Sequence, residues 1–194
     1  IQFVAPNAMV NCEGINVQAG DYVIQRYFLR RADAAATTGT DYGLACDANK
    51  PTPSGTTPVA VPTTILTTGS GAKFGDAGEL IMPRVDQFTV QLGTRLVTTV
   101  SGVETVRLAY YTINQYRAVA AAARTAGTEP PRIVSVKTAV LVRSTDDTRS
   151  NDIDLTGSTN ILNQSVTLTN TTNKYARRVY STTATFRNGL GEGS

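Results

Sequence analysis

The chain has 194 residues, of which 41% are hydrophobic and 17% charged, and its formal net charge is +3. This length and apolar content suffice for one core, so we expect a single domain over residues 1–194. The absence of His removes the usual base of hydrolase mechanisms, and scattered positive charge argues against a specific nucleic-acid site. We therefore predict that the protein is not an enzyme and has no catalytic residues and no cofactor.

The N-terminal quarter contains the first predicted strand pair. Residues 22–30 are dense in β-branched and aromatic side chains and are bounded by Gly20-Asp21. A turn rich in Gly and Thr leads to a second short strand at residues 42–46. Residues 49–75 then alternate Pro, Gly, Ser and Thr, which is typical of a flexible surface loop.

Two further strands are predicted before the only helix. Residues 85–92 alternate between apolar and polar side chains, and residues 96–108 form a second strand interrupted at Ser101-Gly102, so the two should pair as a hairpin. From Thr112 to Ala126 the apolar period becomes helical, Thr112 can cap the start and Gly127 can end the helix.

The last third is again predicted to be β-structure. Residues 133–142 form a central strand with valines on one face and Lys137 and Arg143 on the other. Residues 164–169 and 178–187 are two more strands, the second buried partly on each side. The composition and pattern thus indicate an α+β fold dominated by antiparallel β-sheet, with one short helix near residues 112–126.

The two cysteines, Cys12 and Cys46, have neither a CxxC spacing nor metal-binding neighbours. An even pair of this kind is typical of one structural disulfide in an oxidising compartment, worth about 3 to 4 kcal/mol in the chain-entropy model. The alternative is two buried free thiols in a cytosolic protein.

Two other groups of residues could bind a metal ion or a protein partner. Carboxylates at Asp146, Asp147, Asp152 and Asp154 could hold Ca²⁺, but their spacing does not match an EF-hand, so a solvated loop is favoured and no metal is predicted. Three tyrosines could form an exposed interaction patch, although packing of the helix against the sheet is the favoured interpretation. These tyrosines are Tyr110, Tyr111 and Tyr116.

Four segments, in order along the chain, form a recognisable set. They are residues 11–14 with 22–30 and 43–46, residues 79–93, residues 133–144 and residues 177–188. The second places an acidic residue before an alternating strand that ends in Gly93, the third ends in Leu-Val-Arg-Ser, and the fourth ends in Arg-Asn. This set resembles the PilW family of type IV pilus-assembly proteins, with Thr94-Arg95 standing where the family often has a Val-Asp pair.

The resemblance implies a pilin-like body in which a long N-terminal helix, absent from this chain, packs against the sheet. It also implies a minor pilin that binds other minor pilins and pilus subunits in a complex that starts assembly and stays near the pilus tip. The missing helix would be the only membrane contact. The expected location is the inner membrane, with a periplasmic domain, and later the pilus tip at the bacterial cell surface.

Two other classes of protein fit the same residues. A J-like pseudopilin of type II secretion would share the body and differ in the machine that it joins. A stand-alone secreted adhesin or carbohydrate-binding β-sandwich would lack the membrane helix. Because the chain begins at Ile1 with neither Met nor a signal peptide, we expect that an upstream segment has been removed.

Overall fold

The computed structural model describes residues 1–33, 41–49, 74–148, 158–167 and 174–186. The predicted loop at residues 49–75 lies almost wholly outside these described residues. The described residues fall into two compact units. The first takes its residues from Ile1–Asp86, Arg143–Leu155 and Leu168–Ala176, and the second from Gln87–Val142, Thr156–Thr167 and Arg177–Ser194. The prediction of a single domain stays a prediction.

Twelve strands and one helix make up the described part of the chain. In order they are β1 (Gln2–Val4), β2 (Met9–Val10), β3 (Asn16–Val17), β4 (Tyr22–Arg31), β5 (Tyr42–Ala48), β6 (Glu79–Pro83), β7 (Val85–Val100), β8 (Val103–Thr112), α1 (Ile113–Thr125), β9 (Arg132–Asp147), β10 (Ser158–Ile161), β11 (Gln164–Thr167) and β12 (Tyr175–Thr185). The predicted fold class, mostly antiparallel β-sheet with one short helix, is confirmed for this part of the chain.

A four-stranded sheet in the order β1-β4-β5-β6 dominates the first unit. The predicted hairpin is confirmed, because Tyr27 of β4 lies opposite Cys46 of β5 in an antiparallel register. Strand β5 is buried from Gly43 to Ala48, as expected for an inner strand that is covered on both faces. Val23 of β4 packs with Ala5 and Val17 in a small apolar core.

A second four-stranded sheet has the order β12-β9-β7-β8, and most of its residues lie in the second unit. The prediction that a strand ends at Leu92 is wrong, because β7 continues through Gly93 to Val100. The chain reverses at Ser101-Gly102, where φ is 52° and 80°. Positive φ at both central residues is what a two-residue type I′ hairpin requires.

The predicted helix is confirmed with the predicted cap. Thr112 accepts a hydrogen bond from the backbone N–H of Gln115, and the Gln115 side chain accepts one from the backbone N–H of Thr112. This reciprocal capping box satisfies two N–H groups that the first helical turn cannot bond internally. Gly127 follows the helix with a φ of 68°, the left-handed conformation that commonly ends helices.

The central position predicted for residues 133–142 is confirmed, because β9 lies between β12 and β7. Its more buried face, however, is the one that carries Arg143, together with Ala139 and Leu141. On β7 the polar side chains Thr89 and Gln91 are likewise buried. The β10-β11 hairpin contacts that polar face, since the Gln91 side-chain amide bonds Asn163 in the turn of the hairpin.

Strand β12 corrects one prediction. Residues 181–186 are exposed on both faces instead of half-buried on each. The physical reason is position, because β12 forms an edge of its sheet and has a strand neighbour on one side only within the described part.

Candidate interaction surface

The β7-β8 hairpin places four large apolar side chains on one exposed face. Val97 lies directly opposite Val106, and Leu108 and Tyr110 follow on the same face at alternate positions of β8. The exposed fractions of these side chains are 38% for Val97, 49% for Val106, 72% for Leu108 and 51% for Tyr110. We call these four residues the hairpin strip.

The backbone of β8 is also available for binding. Strand β8 forms the outer edge of its sheet, and among the described residues it pairs with β7 alone. Edge strands present unpaired N–H and C=O groups that can bind a strand from another chain. Three of the four residues of the hairpin strip therefore lie on an edge strand, where apolar contact and strand pairing can occur together.

The surface beside the strip contains a glycine, a lysine that contacts Tyr110, and a shallow groove. A Cβ atom at Gly93 would lie 2.9 Å from Cε1 of Tyr110 and would also clash with the Ser135 hydroxyl, so glycine lets these side chains cross β7. The Lys137 ammonium lies 5.8 Å from the centroid of the Tyr110 ring, within cation–π range. A shallow groove of about 260 Å³ borders Leu108 and Tyr110 and is also lined by Thr183 and Thr185 of β12.

The opposite face of the same strands is apolar and half-buried. A side chain at Gly93 would point to the same face as the Ser135 side chain. The residues directly before and after these positions, and every second residue from there, point to the opposite face. That second face carries Phe88, Val90 and Leu92 of β7 and Val136, Val140 and Val142 of β9. Each of these six side chains has an intermediate exposure. We call them the sheet face.

The three tyrosines considered as a possible patch, for which packing between helix and sheet was the favoured interpretation, do not share one exposed surface. Tyr110 and Tyr111 are consecutive in β8 and point to opposite faces of the sheet. Tyr116 is half-buried, and its hydroxyl donates a 3.0 Å hydrogen bond to the carbonyl of Pro131, which ties α1 to the chain that follows it. Only Tyr110 contributes a broadly exposed ring to the candidate surface.

The acidic residues singled out as a calcium candidate are only partly described. Asp146 and Asp147 lie at the exposed end of β9, whereas Asp152 and Asp154 are outside the described residues. The described residues therefore do not test whether these four carboxylates could bind a cation.

A different acidic group, which the sequence analysis did not predict, includes the residues that follow the two cysteines. Cys12 and Cys46 are bonded with their Cα atoms 6.1 Å apart, as predicted. Glu13 and Asp47 follow these two cysteines directly, and with Asp76 they place one carboxylate oxygen each within 4.8 Å of one another. In the sequence, each cysteine is followed directly by an acidic residue, and this repeated dipeptide was a signal that Glu13 and Asp47 could be close together once the cysteines were bonded.

In the part of the chain that is described, no helix combines the length and the apolar character needed to cross a bilayer. The family model described as Type IV Pilus-assembly protein W (PilW) matches residues 49–188. No curated protein and no solved structure matches the chain. The family match covers more than half of the chain and includes the whole hairpin strip and the sheet face.

Proposed function

This chain belongs to the PilW family of type IV pilus-assembly proteins, and on that premise we propose that it is a minor pilin subunit without enzymatic activity. In this role it binds other minor pilins in a complex that initiates pilus assembly and stays at the pilus tip. The observation that carries the proposal is the hairpin strip, because it combines exposed apolar side chains with a strand edge that has no partner among the described residues.

The chemistry of the strip suits a protein partner. Exposed apolar side chains that cluster on one surface are typical of interaction sites, and Tyr is enriched at the centre of protein interfaces. Glu104 and Arg107 lie on the same edge strand and are exposed, so they can set the register of a bound strand through charge. Binding through β8 would then use backbone hydrogen bonds for affinity and these side chains for specificity.

The sheet face supports a second part of the proposal. Its six aliphatic and aromatic side chains are half-buried, so an apolar surface remains for a further element to cover. We propose that the N-terminal helix implied by the family packs on this face and anchors the protein in the inner membrane, with this domain in the periplasm. The same helix would later hold the subunit in the pilus.

The test uses one variant of the strip and one matched control. Leu108→Glu places a charge on the exposed strip opposite Arg95, so the hairpin itself should tolerate the change. Thr105→Glu places the same charge on the other face of the same strand, opposite Thr98. Each variant replaces the wild type in a strain that lacks the protein, and surface pili are counted by electron microscopy.

Purified domains provide the second measurement. Affinity for the soluble domains of the other minor pilins of the same system should fall at least about tenfold in Leu108→Glu and stay near wild type in Thr105→Glu. Pilus number should follow the same order. Normal piliation and normal binding in Leu108→Glu would exclude the strip as the interface, and normal piliation without the protein would contradict the assembly role itself.

A further inference from the structure

The carboxylates of Glu13, Asp47 and Asp76 meet beside the Cys12–Cys46 disulfide in the first unit. Glu13 is half-buried, Asp47 is fully buried and Asp76 is exposed, so the group opens to solvent on one side. The three residues come from separate parts of the chain. Their proximity therefore depends on the disulfide, on β5 and on the segment that leads into β6.

Backbone hydrogen bonds hold the three side chains in place. The N–H of Ala48 donates to Oε2 of Glu13 at 3.2 Å, and the N–H of Gly75 donates to Oδ2 of Asp47 at 2.8 Å. Oδ1 of Asp76 accepts from the N–H of Gly78 at 2.7 Å. A Cβ atom at Gly78 would lie 2.8 Å from Cβ of Asp47, so glycine lets this segment approach β5 closely.

One oxygen of this group lacks a partner. Asp47 is 0% exposed, and its Oδ2 bonds Nε of Arg26 at 2.5 Å, but its Oδ1 has no hydrogen-bond donor among the described residues. A buried carboxylate oxygen is costly without a hydrogen bond or a cation. This unpartnered oxygen is an observation separate from the clustering of the acids, and it favours a ligand at this position.

The donor set restricts the kind of ligand. Three carboxylate groups meet at this point, and carboxylate oxygens are ligands for a cation. The chain has no His, and both cysteines form the disulfide, so the nitrogen and sulfur ligands preferred by zinc and copper are absent. Only oxygen ligands remain, which is the chemistry of Ca²⁺ and Mg²⁺.

The spacing of the oxygens is compatible with the larger of these two ions. Ca²⁺ binds oxygen at about 2.3 to 2.6 Å, so ligands on opposite sides of the ion lie up to about 5 Å apart, whereas around Mg²⁺ they lie at most about 4.2 Å apart. The three oxygens lie within 4.8 Å of one another, a spread that a calcium shell accommodates. We propose that Glu13, Asp47 and Asp76 form a Ca²⁺ site next to the disulfide, with water completing the coordination.

The experiment titrates the oxidised 194-residue chain with CaCl₂ by calorimetry after removal of metal with a chelator. We expect one site with a dissociation constant of about 10⁻⁴ to 10⁻³ M, the range of extracellular calcium modules. In 10 mM CaCl₂ the midpoint of thermal unfolding should rise by about 3 to 10 °C. MgCl₂ should have a smaller effect, and NaCl at equal ionic strength should have none.

Two variants test the residues without removing the buried carboxylate. Asp76→Asn keeps an acceptor for the N–H of Gly78, and Glu13→Gln keeps an acceptor for the N–H of Ala48, so both should fold. Each should weaken calcium binding at least about tenfold. Asp146→Asn, which removes an exposed carboxylate at the end of β9, is the matched control and should bind as the wild type does.

Three outcomes would overturn the proposal. They are the absence of calcium-dependent heat and thermal shift in the wild type, equal affinity in the wild type and both site variants, and a loss of binding in Asp146→Asn alone. The first would leave a water molecule as the partner of the Asp47 oxygen. The other two would place the ion elsewhere in the chain. None of these results depends on pilus assembly, so the proposed function is tested separately.

Discussion

Arg143 of β9 forms an ion pair with Asp86 of β7 in which both side chains are buried, with exposed fractions of 4% and 8%. The same guanidinium bonds Asp41, whose side chain is 73% exposed. It also lies 5.4 Å from the centroid of the Tyr175 ring. Arg143 therefore bonds one buried and one exposed carboxylate. Substituting each carboxylate in turn separates the effect of burial on stability from the effect of charge pairing.

Asp86→Asn should destabilise the protein far more than Asp41→Asn. Loss of one member of a buried ion pair costs about 3 to 5 kcal/mol, because the remaining charge stays buried without full compensation, whereas an exposed pair contributes about 0 to 1 kcal/mol. The free energy of unfolding in urea measures both. Similar losses in the two variants would show that burial of the Arg143–Asp86 pair does not control its energy.

Gly93→Ala should lower the free energy of unfolding by about 1 to 3 kcal/mol, the usual cost of overpacking. The added methyl group would meet the Ser135 hydroxyl and would lie 2.9 Å from the Tyr110 ring. Ser135→Ala removes one of these obstacles, so the double variant Gly93→Ala/Ser135→Ala should recover part of the loss. Strictly additive effects of the two changes would contradict a direct clash.

Removal of the disulfide should cost about 3 to 4 kcal/mol in the chain-entropy model for the observed sequence separation of 34 residues. Urea unfolding of Cys12→Ala/Cys46→Ala, compared with the oxidised wild type, measures this cost. A thiol assay of the unfolded wild type should find no free thiol. Two titratable thiols in freshly purified protein would instead support the free-cysteine alternative.

Burial raises the pKa of Tyr27 above its ordinary value of 10.0. Its hydroxyl donates a 3.0 Å hydrogen bond to the Gln25 side chain. In the unfolded chain this phenol ionises near pH 10 while the folded protein retains the proton, so stability is fully present below pH 10 and falls as the pH rises through the higher folded pKa.

Urea unfolding at pH 9, 10 and 11 measures this loss. Tyr27→Phe should flatten the decline of the unfolding free energy above pH 10, because it removes the group that ionises. Tyr180→Phe, which replaces an exposed tyrosine, is the control and should keep the wild-type slope. A decline that is unchanged in Tyr27→Phe would assign the alkaline loss to other groups.

Local sequence signals located many elements of the fold but not all of their limits. The capping residues of α1 and the density of β-branched residues in β4 are local, so both elements were predicted closely. Gly93 was interpreted as a strand end, whereas β7 continues through it. The glycine is explained by Ser135 and Tyr110, which occupy the space that a side chain would need. The short strands β6 and β10 were not predicted, since their stability depends on pairing with β5 and β11.

The candidate sites show the same division. Val106, Leu108 and Tyr110 alternate visibly in the sequence, but alternation cannot tell an exposed apolar face from a buried one. Their exposure is established only by the folded structure. Likewise, Glu13, Asp47 and Asp76 are far apart in the chain, so no local spacing rule could have grouped them.

By itself the sequence determined the β-rich class, the helix and its caps, the disulfide partners and the resemblance to PilW proteins, because composition, local periodicity and motif order carry this information. Only the tertiary structure decided which face of β9 is buried, that the Arg143 side chain is buried, and that the carboxylates of Glu13, Asp47 and Asp76 lie close together. Those features arise from contacts between residues far apart in the chain, and their energies depend on burial, which is established only when the strands pack.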